Sequence, residues 1–272
     1  MKGWVTNVMQ TFGIDISKWQ GNFDIQKAKD SGVQFAILKI GGGDSICYKD
    51  NQFEANYIKC ENASLPKGCY FFGQALTLDK AIEEATYWLK LMKYHRFEYP
   101  VFYDVEAKML TLDKRTLTNV IKKVCEIVES NGYWVGIYSS MSHFNNNVYD
   151  EELARYSHWV AAWNTTKPTL LKGGVTQMWQ FGGETNKIRS NKINGQVVDQ
   201  DYCYVDYPTL IKKKGLNGYS NLTTELKPIE QIAIEVIDGK WGTGVERKEA
   251  LTKAGYDYSA VQNLVNQILN NK

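Results

Sequence analysis

The chain has 272 residues, 43% of them hydrophobic, which suffices for one large α/β domain or for that plus a small module. Its 17 Tyr and 8 Trp can pack a core or offer flat faces to sugar rings. A net charge of +2 without a basic run argues against a nucleic-acid footprint, and no apolar run reaches the length of a membrane span.

The opening residues, MKGWVTNVMQTFG, hold no continuous apolar core and no small-residue cleavage site, so no secretory signal is expected. Short apolar runs then alternate with helical patterns. Phe12 to Ser17 reads as a strand, Asp24 to Asp30 as a short helix, and Phe35 to Ile40 as a second strand. Gly41-Gly42-Gly43 reads as a turn, because it lacks the lysine and the helix-opening context of a phosphate loop. Gly68 to Gly73 is a third strand. From Asp79 to Lys93, Ala81, Ala85, Trp88, Leu89 and Met92 recur on one helical face.

Tyr99 to Glu106, YPVFYDVE, reads as a buried strand ending in two carboxylates. Residues two apart on a strand share a face, which sets the Cα atoms of Asp104 and Glu106 roughly 6.5–7 Å apart. Two acids so close are costly to ionise together, so one stays a carboxylate while the other can hold a proton near neutrality. Glycoside hydrolysis needs that division of labour. D-x-E triplets are common, and most are solvated loop acids or helix caps.

A long helix from Asp113 to Ser130 follows, ended by Asn131-Gly132. Val135 to Ser139, Trp159 to Trp163, Val175 to Phe181 and Gln196 to Asp199 complete eight strand candidates. Alternating βα units imply a mainly parallel sheet, and eight of them suggest a barrel, irregular after Ser139 where little helix separates the strands. An open doubly wound sheet fits less well, since no glycine-rich phosphate loop follows the first strand.

In a parallel barrel the site lies at the C-terminal ends of the strands. That gives weight to Asp15, Tyr70, Asp104, Glu106, Tyr138, Trp163, Gln180 and Asp199. Asp15 could instead cap a turn, Asp199 and Asp201 could be loop acids, and the aromatics could belong to the core. Five cysteines, odd in number and without a CxxC, signal neither a disulfide framework nor a zinc site and suit a reducing cytosol. His95, His143 and His158 show no metal-ligand spacing, so no metal or other cofactor is expected.

Gly215 to Asn221, polar and glycine-containing, with Pro228 beyond, reads as a linker. The expected organisation is a barrel over 1–214, a linker over 215–228 and a three-helix module over 229–272. In the module, Ile229, Ile232, Ala233 and Val236 share one helical face and Val261, Leu264, Val265, Ile268 and Leu269 another. Asp257 or Ser259 can cap the last helix. With five basic and six acidic residues its net charge is −1, which suits a ligand-binding or self-associating module better than an electrostatic anchor.

Residues 1–214 resemble the lysozymes of glycoside hydrolase family 25. The resemblance rests on Gly13-Ile14-Asp15-Ile16-Ser17 with Trp19-Gln20-Gly21, Phe35-Ala36-Ile37-Leu38-Lys39 and Gly68-Cys69-Tyr70-Phe71. It continues through Tyr103-Asp104-Val105-Glu106, Gly136-Ile137-Tyr138-Ser139, Ala162-Trp163, Trp179-Gln180-Phe181 and Val198-Asp199-Gln200-Asp201, in the family's order. It implies an irregular β/α barrel that cleaves the β-1,4 bond between N-acetylmuramic acid and N-acetylglucosamine in bacterial peptidoglycan. It also implies Glu106 as general acid, Asp104 and Asp199 as carboxylates near the anomeric centre, and Asp15 as part of the acidic floor. Lys39, Tyr70, Tyr138, Trp163 and Gln180 would line the sugar groove.

The last 44 residues resemble the cell-wall-binding repeat of certain phage lysozymes, through Asp238-Gly239-Lys240-Trp241-Gly242, Arg247, Leu251-Thr252, Ala254-Gly255-Tyr256-Asp257-Tyr258 and Val261-Gln262. Trp241, Arg247, Tyr256 and Tyr258 are then the expected wall-binding residues, and a homo-oligomer formed through the module is the rival expectation. The joint expectation is a phage endolysin. It would be made in the host cytoplasm without a signal and act on the wall once the membrane is permeabilised. A bacterial autolysin and a non-catalytic wall-binding protein are the alternatives.

Overall fold

The computed structural model describes residues 10–219 and 229–270. The chain divides after Tyr219 into two compact units, one a closed barrel and the other a small helical module.

Eight strands close the barrel. They are β1 (Thr11–Ile16), β2 (Phe35–Gly42), β4 (Lys67–Phe72), β5 (Val101–Asp104), β6 (Val135–Ser140), β7 (Ser157–Ala161), β8 (Thr176–Gly182) and β11 (Asp199–Cys203). A two-residue strand β3 (Tyr48–Lys49) extends the edge of β2, and β9 (Lys192–Ile193) pairs with β10 (Gln196–Val197) in a separate hairpin. From β1 through β8 the barrel neighbours pair in parallel. β11 instead runs antiparallel to both β8 and β1 and closes the ring.

Two corrections to the sequence reading follow. Gly41 and Gly42 form no turn: they continue β2, pairing with Lys49 and Tyr48 on one side and Phe71 and Phe72 on the other. The run expected as one strand over 196–199 is split between the hairpin strand β10 and the first residue of β11.

Alternation along the strands builds two apolar layers. Ala36, Leu38, Cys69, Phe71, Val101, Tyr103 and Ile137 face outward to the helices. Phe35, Ile37, Phe102, Trp159, Met178 and Cys203 fill the interior. A Cβ at Gly13 would lie 2.3 Å from the Phe35 ring, and one at Gly136 2.5 Å from the Phe102 ring. Those glycines leave the room that the interior rings occupy.

The outer helices are α1 (Ile25–Asp30), α2 (Phe53–Asn62), α3 (Leu78–Met92), α4 (Lys114–Ser130), the short α5 (Met141–Asn146) and α6 (Asp150–Leu153), and α7 (Tyr207–Lys214). Helices α3 and α4 match their periodicity, burying Ala81, Ala85, Trp88 and Met92, and Leu117, Ile121, Val124 and Val128. The sequence reading missed α2, because the face it buries is Phe53, Asn56 and Cys60, with a polar residue at its centre. It also missed α7, although Asp206 caps it, Pro208 opens it and Gly215 ends it in a left-handed conformation.

The barrel continues to Tyr219, so residues 215–219 are not linker. Asn217 is buried, accepts from Trp134 N at 2.6 Å and donates to Tyr99 O at 2.8 Å. The remainder of the expected linker, 220–228, lies outside the described residues.

The second unit comprises α8 (Ile229–Ile237), α9 (Gly244–Lys253) and α10 (Tyr258–Asn270) around Ile232, Ala233, Val236, Leu251, Val261 and Val265. Asp257 caps α10 through Ser259 N and Ala260 N. Leu269, expected on the buried face, is exposed. Among the described residues no helix is long and apolar enough to cross a membrane.

Candidate active site

The interior alternation that carries apolar rings at one end of the barrel carries polar side chains at the other. Counting two residues on from Gly13, Phe102 and Met178 reaches Asp15, Asp104 and Gln180. With Tyr70, Glu106, Tyr138, Trp159 and Asp199 they line one cavity of about 100 Å³ at the C-terminal ends of the parallel strands. Asp199 stands at the start of its strand. It reaches this mouth because β11 is antiparallel, and it lies opposite Asp15 in the ladder.

Neighbouring strands pin the acid pair. Asp104 ends β5 beside Phe72, and its carbonyl accepts from Gly73 N at 2.9 Å. Between the acids, Val105 donates its N–H to Tyr138 O at 2.9 Å and accepts Ser139 Oγ at 2.6 Å. Glu106 is extended, and Ala107 then turns the chain at φ 50°, a left-handed conformation that a non-glycine residue adopts at a cost of about 1–3 kcal/mol. Behind the pair, Tyr103 donates to the buried Glu84 of α3 at 2.6 Å, and Glu84 also accepts from Gln74 N at 3.0 Å.

A hydrogen-bonded chain crosses the floor. Tyr138 OH and Trp163 Nε1 donate to Gln180 Oε1 at 2.9 and 3.3 Å, and Gln180 Nε2 donates to Asp15 Oδ2 at 2.9 Å. Asp201, the alternative to Asp199, is wholly buried and accepts from Trp159 Nε1 at 2.7 Å. Asp201 pairs with Gly13 rather than Asp15 in the ladder, one layer below the cavity wall that Asp199 joins. A Cβ at Gly183 would fall 1.9 Å from Asp199 Oδ1, so only glycine admits that carboxylate.

Burial raises the pKa of every acid here. Asp104 is only 3% exposed and its Oδ1 has no hydrogen-bond partner among the described residues. Burial, and then the charge of Glu106, push it well above the usual carboxylate range, while the Lys39 ammonium opposes the shift. Glu106 is raised by burial and lowered by Lys39. Burial raises Asp15 strongly, helped by Asp199 and Asp201, and pushes Asp199 up to about 6. Asp104 and Glu106 therefore titrate as a pair that holds a proton in common, the deeper Asp104 favouring it more.

Of the expected groove residues, Tyr70, Tyr138 and Gln180 line the cavity. Lys39 does not line the cavity itself; its Nζ lies 5.6 Å from the Tyr70 centroid and 4.6 Å from that of Phe72. Trp163 lies past the end of β7, 40% exposed, where it bonds Gln180 and flanks Gly183 on the side of Asp199. Trp159 was missed: its strand starts at Ser157, and counting by two from there would have placed it inside. A roomier recess of about 330 Å³ opens between Trp134, Tyr207 and Lys214, but its carboxylate Glu129 is paired with Arg155 at 2.5 Å. Among the described residues no group of acids, cysteines and histidines could hold a metal ion.

In the module, the four expected wall-binding residues all make internal contacts. Trp241 packs edge-on against Tyr256 at 6.0 Å and donates to Glu235 at 3.1 Å. Arg247 bonds Gly242 O at 3.0 Å and Gln262 Oε1 at 3.2 Å, and Tyr258 packs on the core.

A β/α barrel with paired carboxylates walled by aromatics at its mouth is the architecture of a sugar-cleaving enzyme. The model of glycosyl hydrolases family 25 matches residues 14–189, and a CW_7 repeat matches residues 230–269. The chain belongs to family 25 and is a glycoside hydrolase. It is 28% identical to Lysozyme M1 of Streptomyces globisporus over 203 residues, 67% of each chain. It is 28% identical to the lysozyme of Streptococcus phage Cp-7 over 260 residues, 94% of this chain and 69% of the relative. The chain thus spans about two thirds of the length of these curated relatives. In fold it is similar to the bacterial lysozyme of Streptomyces coelicolor, with a TM-score of 0.63 and 24% identity over 80% of this chain and all of that one.

Proposed function

We propose that this chain is an endolysin that hydrolyses the β-1,4 bond between N-acetylmuramic acid and N-acetylglucosamine in bacterial peptidoglycan. The observation that carries the reading is the meeting of Asp104, Glu106, Asp15 and Asp199 in one cavity walled by Tyr70, Tyr138 and Trp159. Glu106 protonates the leaving glycosidic oxygen, the step for which burial of its carboxyl prepares it. The one proton shared by the pair is the proton delivered, so Asp104 is ionised as the C–O bond breaks, and the water that adds at the anomeric carbon returns a proton to Glu106. Asp104 and Asp199 then face the positive charge growing at the anomeric carbon, or orient the substrate's own acetamido group. Asp15, held by Gln180, completes the acidic floor.

The module anchors the enzyme to its insoluble polymer, which raises its local concentration there. The phage lysozyme's similarity across both parts of the chain supports the endolysin reading over a free-standing enzyme. Five free cysteines suit accumulation in a reducing cytoplasm before the membrane is breached.

Glu106→Gln should slow clearing of purified cell walls by about 10²–10⁴-fold while leaving wall adsorption intact. Unchanged clearing removes Glu106 as the acid, and a wild-type chain that adsorbs without clearing is a binding protein. Mass analysis of the released ends should find reducing muramic acid; reducing glucosamine would mean the other bond is cut.

A further inference from the structure

The cavity at the barrel mouth holds about 100 Å³, whereas sites that enclose a drug-sized ligand measure about 300–1,000 Å³. A polymer cut there must run mostly across the surrounding rim. One rim feature is a solvent-exposed indole on a held backbone, with the Lys18 ammonium 5.0 Å from its ring centroid. Trp19 lies in the 3-10 turn Lys18–Gln20, which follows β1 four residues after Asp15, so its Cα is within about 14 Å of the acid's.

The turn is pinned twice. Ser17 Oγ accepts from Trp19 N at 3.2 Å while Gln20 Oε1 accepts from Ser17 N at 2.9 Å. Lys18 N donates at 3.1 Å to Asp50, which is itself buried and bonded to Gln52 N. Yet Trp19 is 79% exposed, the most open of the described tryptophans. From the next strand end, the loop after β2 adds Ile46, 80% exposed. A held backbone that delivers a large apolar ring into water forgoes its burial until something flat and partly apolar covers it.

We infer that Trp19 is a stacking platform for a pyranose ring of the glycan strand, one or more sugar units away from the bond that is cleaved. The inference rests on the peptidoglycan-hydrolase reading above. Pyranose rings offer an apolar C–H face to an indole, and a fixed turn minimises the ordering that binding would otherwise demand. The site then favours long glycan strands over short fragments, because only a strand that extends past the mouth reaches it.

The test compares the full-length wild type with Trp19→Ala and Trp19→Phe on soluble glycan strands of graded length. Trp19→Ala should raise KM on long strands about tenfold, the scale of one aromatic stacking contact. Its kcat should be kept, the KM rise should shrink as the strand shortens, and Trp19→Phe should recover most of the loss. The same drop in affinity should appear by calorimetry in a Glu106→Gln background, where no turnover intervenes. An unchanged KM on long strands, an equal loss on every length, or a loss in kcat overturns the platform. A wild-type chain that cleaves no glycan strand instead overturns the hydrolase reading, so the two failures are distinguishable.

Discussion

Lys39 is the positive charge set against the acid pair. It occupies the interior face of β2, and its ammonium, over the rings of Tyr70 and Phe72, lowers the pKa of both Asp104 and Glu106 against the rise that burial imposes. Removing the cation in Lys39→Met leaves burial unopposed, so both carboxyls should bind protons more tightly. The limb of the pH–rate profile that reports a carboxylate and the limb that reports the acid then both move to higher pH. Measuring kcat/KM against pH on cell walls checks this, with Lys39→Arg expected to restore the wild-type profile. The acid pair itself was legible in the sequence, since a short apolar strand ending in D-x-E fixes both residues and their shared side. Trp159 was passed over although it shares its expected strand and face with Trp163, because it opens that run and only the C-terminal ends of strands were weighed for the site.

The strap over 215–219 shows how an element can hide. Its composition is that of a linker, yet Asn217, at φ 55°, bonds with both its side chain and its backbone to the starts of β5 and β6. Asn217→Ala leaves Trp134 N and Tyr99 O short of partners and keeps a Cβ residue in a left-handed conformation. Together these should cost about 2–4 kcal/mol, read as a lower urea midpoint at unchanged slope. Helix α7 was hidden for a related reason. Its capping residues are all present, but at eight residues it buries only Tyr207 and Ile211 and shows little periodicity. Helices α3 and α4 were readable because fifteen and seventeen residues repeat their apolar face often enough to stand out.

At the level of the whole chain, the barrel carries two apolar layers and the helical module a core of its own, and the proposed function gives chemistry to the first unit and retention on the wall to the second. A chain stopped after Tyr219 should cleave soluble glycan fragments at the full-length rate. On whole walls at low enzyme concentration it should be slower by about 10²-fold, as expected when a tether is lost. Turbidity and co-sedimentation with purified walls read the two effects apart. Light scattering of both forms tests self-association: a full-length dimer beside a monomeric truncated chain would assign the module to oligomerisation instead.

Local periodicity in the amino-acid order already determined most of the barrel strands, the faces of its long helices, the acid pair and the three short helices of the module. Each of these is set by residues two to four apart. The antiparallel last strand, the cavity that joins Asp15 and Asp199 to the acid pair and the burial that raises all four carboxyls were decided only in three dimensions. Asp15 meets Gln180 across 165 positions of chain and Asp199 needs the space left at Gly183. Desolvation is a sum over neighbours that only closure of the barrel brings together.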